Sequence, residues 1–438
     1  MLTVPSYAIV ASLMRQPNQV ATRLTIRLAI AWLGVMTSVA HGDVPLTQDA
    51  AIREAGVANT RLPVAFLNVA SSRTFVPEAR SDLFPTVAVG GAAHDARPGA
   101  YDHDLEAFAR GSLYDASIRP RIGVAKANVA SALGRYRVTE ADLELEVRSR
   151  FSDAVEARAE VEIQHEAIDR LTSYVDTVKL RQRAGEGVEA DLLNAQAALA
   201  TQRASLVDAE LRVEDDRMQL NDLLGRDPTA PLALAPPPKL ARQPVAIEAT
   251  PWLQTPDVAV AAAEVKAAGA LIAVARAERR PNLGYEIGVG FLGVQPAQDP
   301  SESYGNRIVR GFGVSATLTL SWTLLDFGGY HARTSRAEIE RDRALATERV
   351  TFRATRLAFQ QADLELTTLQ GAVDLNTQAV AATRDAYLAA ESVYRGGSGT
   401  ALAVIDAHRI WVSTAITSAN VELRYRLAEA NYIRRSRR

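Results

Sequence analysis

The sequence predicts an α+β membrane protein made of two tandem repeats, each with two transmembrane β-strands and a long antiparallel coiled-coil helical hairpin. Three observations predict this fold. Apolar and polar residues alternate over about ten positions, which is typical of amphipathic strands. Apolar residues recur every seven positions in much longer segments, as in coiled coils. A glycine-rich motif at position 182 returns 212 residues later, at position 394, which indicates a duplicated unit.

Composition narrows the classes of function. The chain has 438 residues, of which 47% are hydrophobic, as in folded proteins. Its 49 basic and 51 acidic side chains nearly balance, which argues against nucleic acid as the primary partner. The sequence contains no cysteine, so disulfides, thiol nucleophiles and cysteine-ligated metal centres are excluded.

Residues 1–40 are predicted to be a secretory signal peptide. Arg23 and Arg27 precede the apolar run Leu28–Val39, and small residues occupy the positions that a signal peptidase reads. The run is shorter than the roughly 20 residues of a spanning helix, and no other segment is expected to qualify. The mature chain is therefore expected to start near His41. A buried N-terminal helix is the alternative, and the true translation start stays open.

The repeats are predicted at 41–225 and 257–438, joined by a linker at 226–256. The linker is rich in proline, which prevents regular structure and favours an extended chain. Within the repeats, we expect strands at about 85–115 and 282–325, and helical hairpins at about 119–225 and 330–433.

The clearest strand alternation predicts a lipid-facing surface. Its candidate lipid-facing residues are Phe312, Val314, Leu318, Leu320 and Trp322, with glycine, serine and threonine between them. Four strands per chain cannot close a barrel, and open edges in hydrocarbon cost several kcal/mol per unpaired group. Two copies would give eight strands and three would give twelve, and the small polar inner face favours the wider barrel. A soluble sandwich is the alternative.

Seven-residue spacing predicts the helical hairpins. One series in the first repeat is Val147, Ala154, Val161, Ile168 and Val175, the next is Leu192, Leu199, Leu206, Val213 and Leu220, and the second repeat has Val350, Leu357 and Leu364. A helix of about 60 residues is on the order of 90 Å long. Each hairpin reverses at a glycine-rich turn, where positive φ is expected.

Taken together, these features resemble the outer membrane efflux proteins of the TolC family over nearly the whole mature chain. The quoted segments are Leu46-Thr47, the Leu320–Gly329 segment, Leu220–Gly225 and the two Arg-x-Gly-x-Gly turns. The resemblance implies a homotrimer with a 12-stranded β-barrel in outer-membrane lipid of a Gram-negative bacterium and an α-helical tunnel in the periplasm. It also implies a periplasmic adaptor (membrane fusion) protein and an inner-membrane pump as partners.

The resemblance also implies sites at the hairpin tips. The adaptor-docking residues would be Arg183, Gly185, Gly187, Arg395, Gly397 and Gly399. The channel constriction would be Asp191 and Asp406. Ala403 stands where the family's best-known member has aspartate, and Gly399 replaces an arginine, although Tyr394 matches a tip tyrosine. Pro63 is expected to break the opening helix, which is another departure.

Other motifs indicate no catalytic, metal or cofactor chemistry. Gly288–Gly293 fits a dinucleotide-binding pattern, but Val294-Gln295-Pro296 follows instead of a helix, so we interpret these glycines as strand residues. A loop between the first two strands is expected to carry His94, Asp95, Asp102, His103 and Asp104 as solvated residues. We expect His165 and His408 on polar helix faces. The terminal Arg434, Arg435, Arg437 and Arg438 are expected to form a solvated tail.

The function predicted from these observations is a passive exit duct of a tripartite efflux or type I secretion system, with no enzymatic activity and no cofactor. The alternative is a periplasmic coiled-coil structural protein without a channel. The sequence leaves the cargo open between drugs, metal ions and secreted proteins, and it does not identify the adaptor or the pump.

Overall fold

The computed structural model describes residues 45–97, 100–236, 251–291 and 312–436. The predicted signal peptide lies outside them. Clustering of the chain gives two units, Met1–Leu46 and Thr47–Arg438, and every element below belongs to the second. In chain order, the elements are α1 (Gln48–Ala58), α2 (Arg61–Ser81), β1 (Thr86–Arg97), β2 (Ala100–Tyr114), α3 (Ile118–Arg183), α4 (Glu189–Leu223), a 3-10 turn (Pro251–Gln254), α5 (Pro256–Ala277), β3 (Asn282–Phe291), β4 (Phe312–Ser321), α6 (Gly329–Arg395) and α7 (Ala401–Ser436).

The four strands form one antiparallel sheet in the order β1-β2-β3-β4. The register places Leu318 of β4 opposite Tyr285 of β3, so the apolar residues of neighbouring strands share one face. Large apolar side chains on this face are exposed in the single chain, Leu318 by 64% and Val87 by 74%. Within the single chain, β1 and β4 each pair along one side only, so two strand edges stay open.

The first two strands are longer than the alternation predicts, which corrects the expected loop. β1 continues to Arg97 and β2 starts at Ala100. His94 pairs with Asp102 and His103 pairs with Ala93, so these residues lie on strands. Aspartate is depleted in strands, which weakens the sequence signal there. The backbone ladder nevertheless extends to the short connection between the strands.

Two hairpins of nearly equal size dominate the rest of the fold. Helices α3 and α6 have 66 and 67 residues, and their partners α4 and α7 have 35 and 36. The longer helices are therefore on the order of 100 Å long. In the half nearer the hairpin turns, the helices pack in the order α4-α3-α7-α6. In the half nearer the sheet, α2 and α5 take the places of α4 and α7, which gives α2-α3-α5-α6.

The expected break in the opening helix falls before Pro63, not at it. Helix α1 ends at Ala58 and α2 starts at Arg61. The Asn59 side-chain oxygen accepts a hydrogen bond from the Arg61 backbone N–H at 2.9 Å. Pro63 lies in the first turn of α2, where a missing N–H costs no helix hydrogen bond.

Helix α5 corrects the expectation that no further segment qualifies as a membrane span. Its length and apolar composition are sufficient for one. In this fold it packs along α3 and α6. Its charged residues make ion pairs with both neighbours, Glu264 with Arg135 and Arg276 with Glu338, each at 2.7 Å. We therefore describe α5 as a bundle helix.

The described part of the proline-rich linker packs on the first hairpin, which corrects the picture of a free extended chain. Leu232 is buried, and its carbonyl oxygen accepts a hydrogen bond from Arg158 at 2.5 Å. The fully buried Asn221 side chain donates to the Ala230 carbonyl oxygen at 2.8 Å. Proline removes backbone donors but leaves carbonyl acceptors, and these side chains use them.

The predicted heptad positions of α6 are exposed in the single chain. Val350, Leu357 and Leu364 are exposed by 67%, 55% and 66%, whereas the buried positions of α6 include Phe359 and Leu369. The exposed series extends to Ile339 and Leu375, at spacings of 11, 7, 7 and 11 residues, which return to one helix face. We call these five residues the α6 stripe. In α3 and α4, Val147, Ala154, Val175, Leu199 and Leu220 are buried as predicted.

Arg434 is buried, which corrects its assignment to a solvated tail. Its guanidinium pairs with Asp142 of α3 at 2.7 Å and with Asp257 of α5 at 3.1 Å. The residue is only 6% exposed. A buried cation is stable only when it is paired and hydrogen-bonded, and the two carboxylates supply both. Arg434 therefore joins the end of α7 to α3 and α5.

We expect Arg434→Met to lower the free energy of unfolding by about 2 to 3 kcal/mol, because the two carboxylates lose their partner. The estimate is below that for a fully buried pair since the Asp142 side chain is 55% exposed. Denaturant titration of the detergent-solubilised protein measures the change. Arg435→Met, at the next and less buried position, is the control. Equal losses in both variants would contradict the ion-pair role.

Candidate functional site

The two hairpin turns combine two kinds of glycine. Gly185 and Gly397 have φ of +79° and +88°, a conformation that side chains with a Cβ rarely adopt. Gly187 and Gly399 lie outside that region and are required by close approach instead. A Cβ at Gly187 would lie 3.0 Å from the Gln182 backbone nitrogen, and one at Gly399 would lie 2.8 Å from the Tyr394 nitrogen. Positive φ is thus confirmed at one glycine of each turn.

The first hairpin contacts the second beside these turns. Arg181 of α3 donates a hydrogen bond to the Tyr394 carbonyl oxygen of α6, and its guanidinium carbon lies 4.9 Å from the centre of the Tyr394 ring. The Tyr174 ring packs edge-on against the same ring, with centroids 5.3 Å apart. The Tyr174 hydroxyl donates to the Ala401 carbonyl oxygen of α7 at 3.3 Å. We call Tyr174, Arg181, Tyr394 and Ala401 the tip joint.

Asp191 and Asp406, the predicted constriction residues, have different surroundings. Burial raises the pKa of both Tyr174 and Tyr394, and the negative charge of Asp191 adds to the increase. Asp191 is therefore close to the tip joint, and it is partly buried. Asp406 is exposed on α7 and pairs with Arg409 of the same helix at 3.6 Å.

The predicted docking residues at the turns are mostly exposed. Arg183, Gly185, Arg395 and Gly397 are exposed, and Gly187 and Gly399 are partly buried. The Arg395 side chain pairs with Glu391 on its own helix at 2.5 Å. The exposed backbone of two neighbouring turns thus forms one end of the helical part of the chain.

A buried aromatic cluster lies behind the tip joint and was missed by sequence reasoning. His408 is 3% exposed, and its Nε2 lies 3.1 Å from the Ala167 carbonyl oxygen of α3. Its ring packs edge-on against Tyr387 and Trp411, at 5.4 and 5.7 Å between centroids. This corrects the polar-face assignment of His408, whereas His165 is exposed as predicted. The signal available in the sequence was Trp411, one helical turn after the histidine.

Protonation of His408 is expected to weaken this cluster. Burial lowers the pKa of His408 below its usual value of 6.5. The unfolded chain therefore takes up a proton more readily than the folded one, so stability falls as the pH drops below about 6.5. We expect His408→Gln to flatten this part of the dependence of Tm on pH, measured between about pH 5 and pH 7.5.

The exposed His165 supplies the matched control for that measurement, because His165→Gln removes a histidine from the same region. We expect its pH dependence to follow that of the wild-type protein. A wild-type slope retained in His408→Gln would contradict the role of the buried imidazole.

The sheet adds a second candidate region, its polar inner face. Gly288 and Gly290 of the dinucleotide-like pattern lie on β3 and pair with Phe108 and Glu106 of β2. They are therefore strand residues, as we interpreted them, while 292–293 fall outside the described residues. On the same face, Arg110 stands opposite Glu286. Glycine, serine and threonine occupy most of the remaining positions.

The chain matches the family model described as outer membrane efflux protein over residues 51–226 and 253–433. The gap between the two matched segments falls on the proline-rich linker.

Among curated proteins, the chain is similar to Protein CyaE of Bordetella pertussis, with 27% identity over 65% of this chain and 62% of that protein. It is also similar to the pyoverdine export outer membrane protein OpmQ of Pseudomonas putida, with 28% identity over 57% of this chain and 52% of that protein. The matches thus span less than two thirds of either relative. Among solved structures, CusC has a TM-score of 0.80 at 18% identity, covering 90% of this chain and 92% of that one. This likeness concerns the fold.

Proposed function

We infer that this chain, which belongs to the outer membrane efflux protein family, acts in the outer membrane as a passive exit duct. In this proposal three copies form one channel, and substrates pass through it from a periplasmic adaptor and an inner-membrane pump to the exterior. The name of OpmQ describes pyoverdine export. We extend to this chain only the general activity of export across the outer membrane.

The observation that carries the proposal is the position of the unpaired edges. Elements of the first repeat, β1, α2 and α4, end the strand order and both helix orders on one side, and β4 and α6 end them on the other. Different surfaces on the two sides make a head-to-tail contact, which generates a ring when the rotation closes. A single ring of copies would satisfy the open strands and the open helices together.

Exposed apolar residues on both edges support this contact. The α6 stripe runs over Ile339–Leu375 on one edge. Helix α4, on the other edge, exposes a second series on one face, namely Leu193, Val207, Leu211 and Met218. Burying such side chains contributes about 1.5 to 3 kcal/mol each. We propose that the α6 stripe of one copy packs against α4 and α2 of the next.

The number of copies follows from the sheet. Three chains of four strands give a twelve-stranded barrel, while two would give eight, a size whose interior is filled by side chains. The inner face carries residues such as Gly284, Gly288 and Thr319, which leave room for a water-filled lumen. A trimer fits this face better than a dimer.

Reconstitution tests the proposed function. The protein purified in mild detergent should have three times the chain mass by native mass spectrometry and should form conducting channels in planar bilayers. A monomer without conductance would contradict the proposal. Recovery of the protein in the aqueous fraction without detergent would instead favour the alternative, a structural coiled-coil protein of the periplasm.

A carboxylate gate at the tips is the second part of the proposal. In a trimer, Asp191 and Asp406 would supply two rings of carboxylates at the narrow end, and such rings select cations. We expect multivalent cations added on the periplasmic side to block the pore. Block in the double variant Asp191→Asn/Asp406→Asn should require on the order of tenfold more blocker.

Asp176 and Asp385 provide a control of equal charge. Both are exposed, and both lie on the long helices within a few turns of the hairpin tips. The double variant Asp176→Asn/Asp385→Asn should leave the block unchanged. Equal relief in both double variants would assign the block to total charge, and unchanged block in Asp191→Asn/Asp406→Asn would place the constriction elsewhere.

A further inference from the structure

Two opposite charges stand side by side on the inner face of the sheet. Arg110 of β2 pairs with Glu286 of β3, and their row continues to Thr86 on β1 and Thr317 on β4. Both charged side chains are exposed in the single chain. Neighbours on one face of an antiparallel pair have Cβ atoms about 4.5 to 5.5 Å apart, so the two charges belong to one level of the wall.

The inner position of this row follows from the register. The same pairing puts Ala109 opposite Ile287, and Ile287 opposite Ala316, on the apolar face. Because successive residues of a strand point to opposite faces, Arg110 and Glu286 lie on the polar face. The lipid would therefore meet the alanine and isoleucine row, and the lumen would meet the charged row.

The wall around Arg110 has few other side chains. Its guanidinium carbon lies 5.6 Å from the centre of the Phe108 ring. A Cβ at Gly90 would come 3.2 Å from that ring, so Phe108 lies over a bare glycine of β1. Phe108 itself pairs with Gly288 of β3. Thus Arg110 and Phe108 stand out from a wall that is otherwise low at this level.

We propose that Arg110 and Glu286 determine the ion selectivity of the barrel part of the channel. The inference rests on the proposed function, because three copies would place three arginines and three glutamates around the lumen at one level. Each set acts on the opposite charge: the arginines admit anionic cargo and the glutamates admit cationic cargo. The balance between the two sets is what fixes the selectivity at this level.

Salt determines how far such wall charges act. The Debye length is about 10 Å at 0.1 M salt and about 30 Å at 0.01 M. Wall charges therefore influence the centre of a wide lumen mainly at low ionic strength. Their effect on selectivity should be largest at about 0.01 M and should nearly disappear at about 1 M, where the Debye length is about 3 Å.

Reversal potentials under a KCl gradient in planar bilayers test the proposal. Relative to the wild-type channel, Arg110→Gln should raise the cation-to-anion permeability ratio and Glu286→Gln should lower it, each on the order of threefold at low salt. The double variant Arg110→Gln/Glu286→Gln should return close to the wild-type ratio. Thr319→Gln, a neutral change at an inner position of β4, is the control for side-chain volume and should leave the ratio unchanged.

The two single variants must shift the ratio in opposite directions. Shifts of the same sign, or no shift in channels that conduct normally, would overturn the proposal. If a glutamine variant does not assemble, the exchanged pair Arg110→Glu/Glu286→Arg replaces it and should keep the wild-type ratio, and a changed ratio there would also overturn the proposal. A wild-type protein that forms no channel would count against the proposed function and not against this row of charges.

Discussion

Leu318→Arg is expected to destabilise the protein in the membrane by about 2 to 4 kcal/mol, whereas Thr319→Arg, one residue further, should cost far less. The two positions lie on opposite faces of β4. Leu318 stands opposite Tyr285 on the apolar face, and Thr319 stands opposite Gly284 on the inner face. An arginine at Leu318 would meet hydrocarbon, while one at Thr319 would meet the lumen.

Folding into lipid vesicles, followed by denaturant titration, measures this difference. Leu320→Arg lies on the same face as Leu318, opposite Leu283, and should give a similar loss because it is also close to the lipid. The loss should shrink toward the ends of the strand, where the interface is closer. Equal costs for Leu318→Arg and Thr319→Arg would show that β4 is not a strand with one lipid face.

Gly397→Pro is expected to abolish export while leaving trimer formation and membrane insertion intact. Proline fixes φ near −65°, whereas Gly397 has φ of +88°. Proline also removes the N–H that Gly397 donates to the Tyr394 carbonyl oxygen at 3.0 Å. The turn must therefore change its path at the tip joint, far from the sheet and from the edges.

An export assay together with native mass spectrometry tests this expectation. Gly187→Pro should give the same phenotype, because ring atoms at this position would crowd the Gln182 nitrogen. The control is Gly396→Ala, since Gly396 has ordinary helical φ of −75° and a Cβ there would lie 3.5 Å from its nearest neighbouring atom. Normal export by Gly397→Pro, or loss of the trimer, would refute the assignment of the tips.

The sequence predicts best where the signal is local. The alternation from Phe312 needs only its own ten residues to indicate β4, which the structure places at Phe312–Ser321. The turn glycines are equally local, because a reversal between two helices needs positive φ at Gly185 and Gly397. The sequence could not separate positive φ from close approach, since both requirements select glycine.

Partners that are distant along the chain left no such signal. His408 contacts a carbonyl 241 residues away, and Arg434 pairs with a carboxylate 292 residues away. Both appeared as polar residues on helices because periodicity reports a face and not what covers it. The same limit applies to Val350 and Leu357, whose seven-residue spacing marks an apolar face that is exposed in the single chain.

The two unlike edges of the chain have a genetic consequence. If each copy offers α6 to one neighbour and α4 with α2 to the other, a copy damaged on either edge stops the whole ring from closing. Co-expression of equal amounts of damaged and normal chains would then leave only about one eighth of trimers free of damaged copies, if the chains mix at random. A variant such as Leu357→Asp should therefore be dominant-negative in a cell that also carries the intact gene.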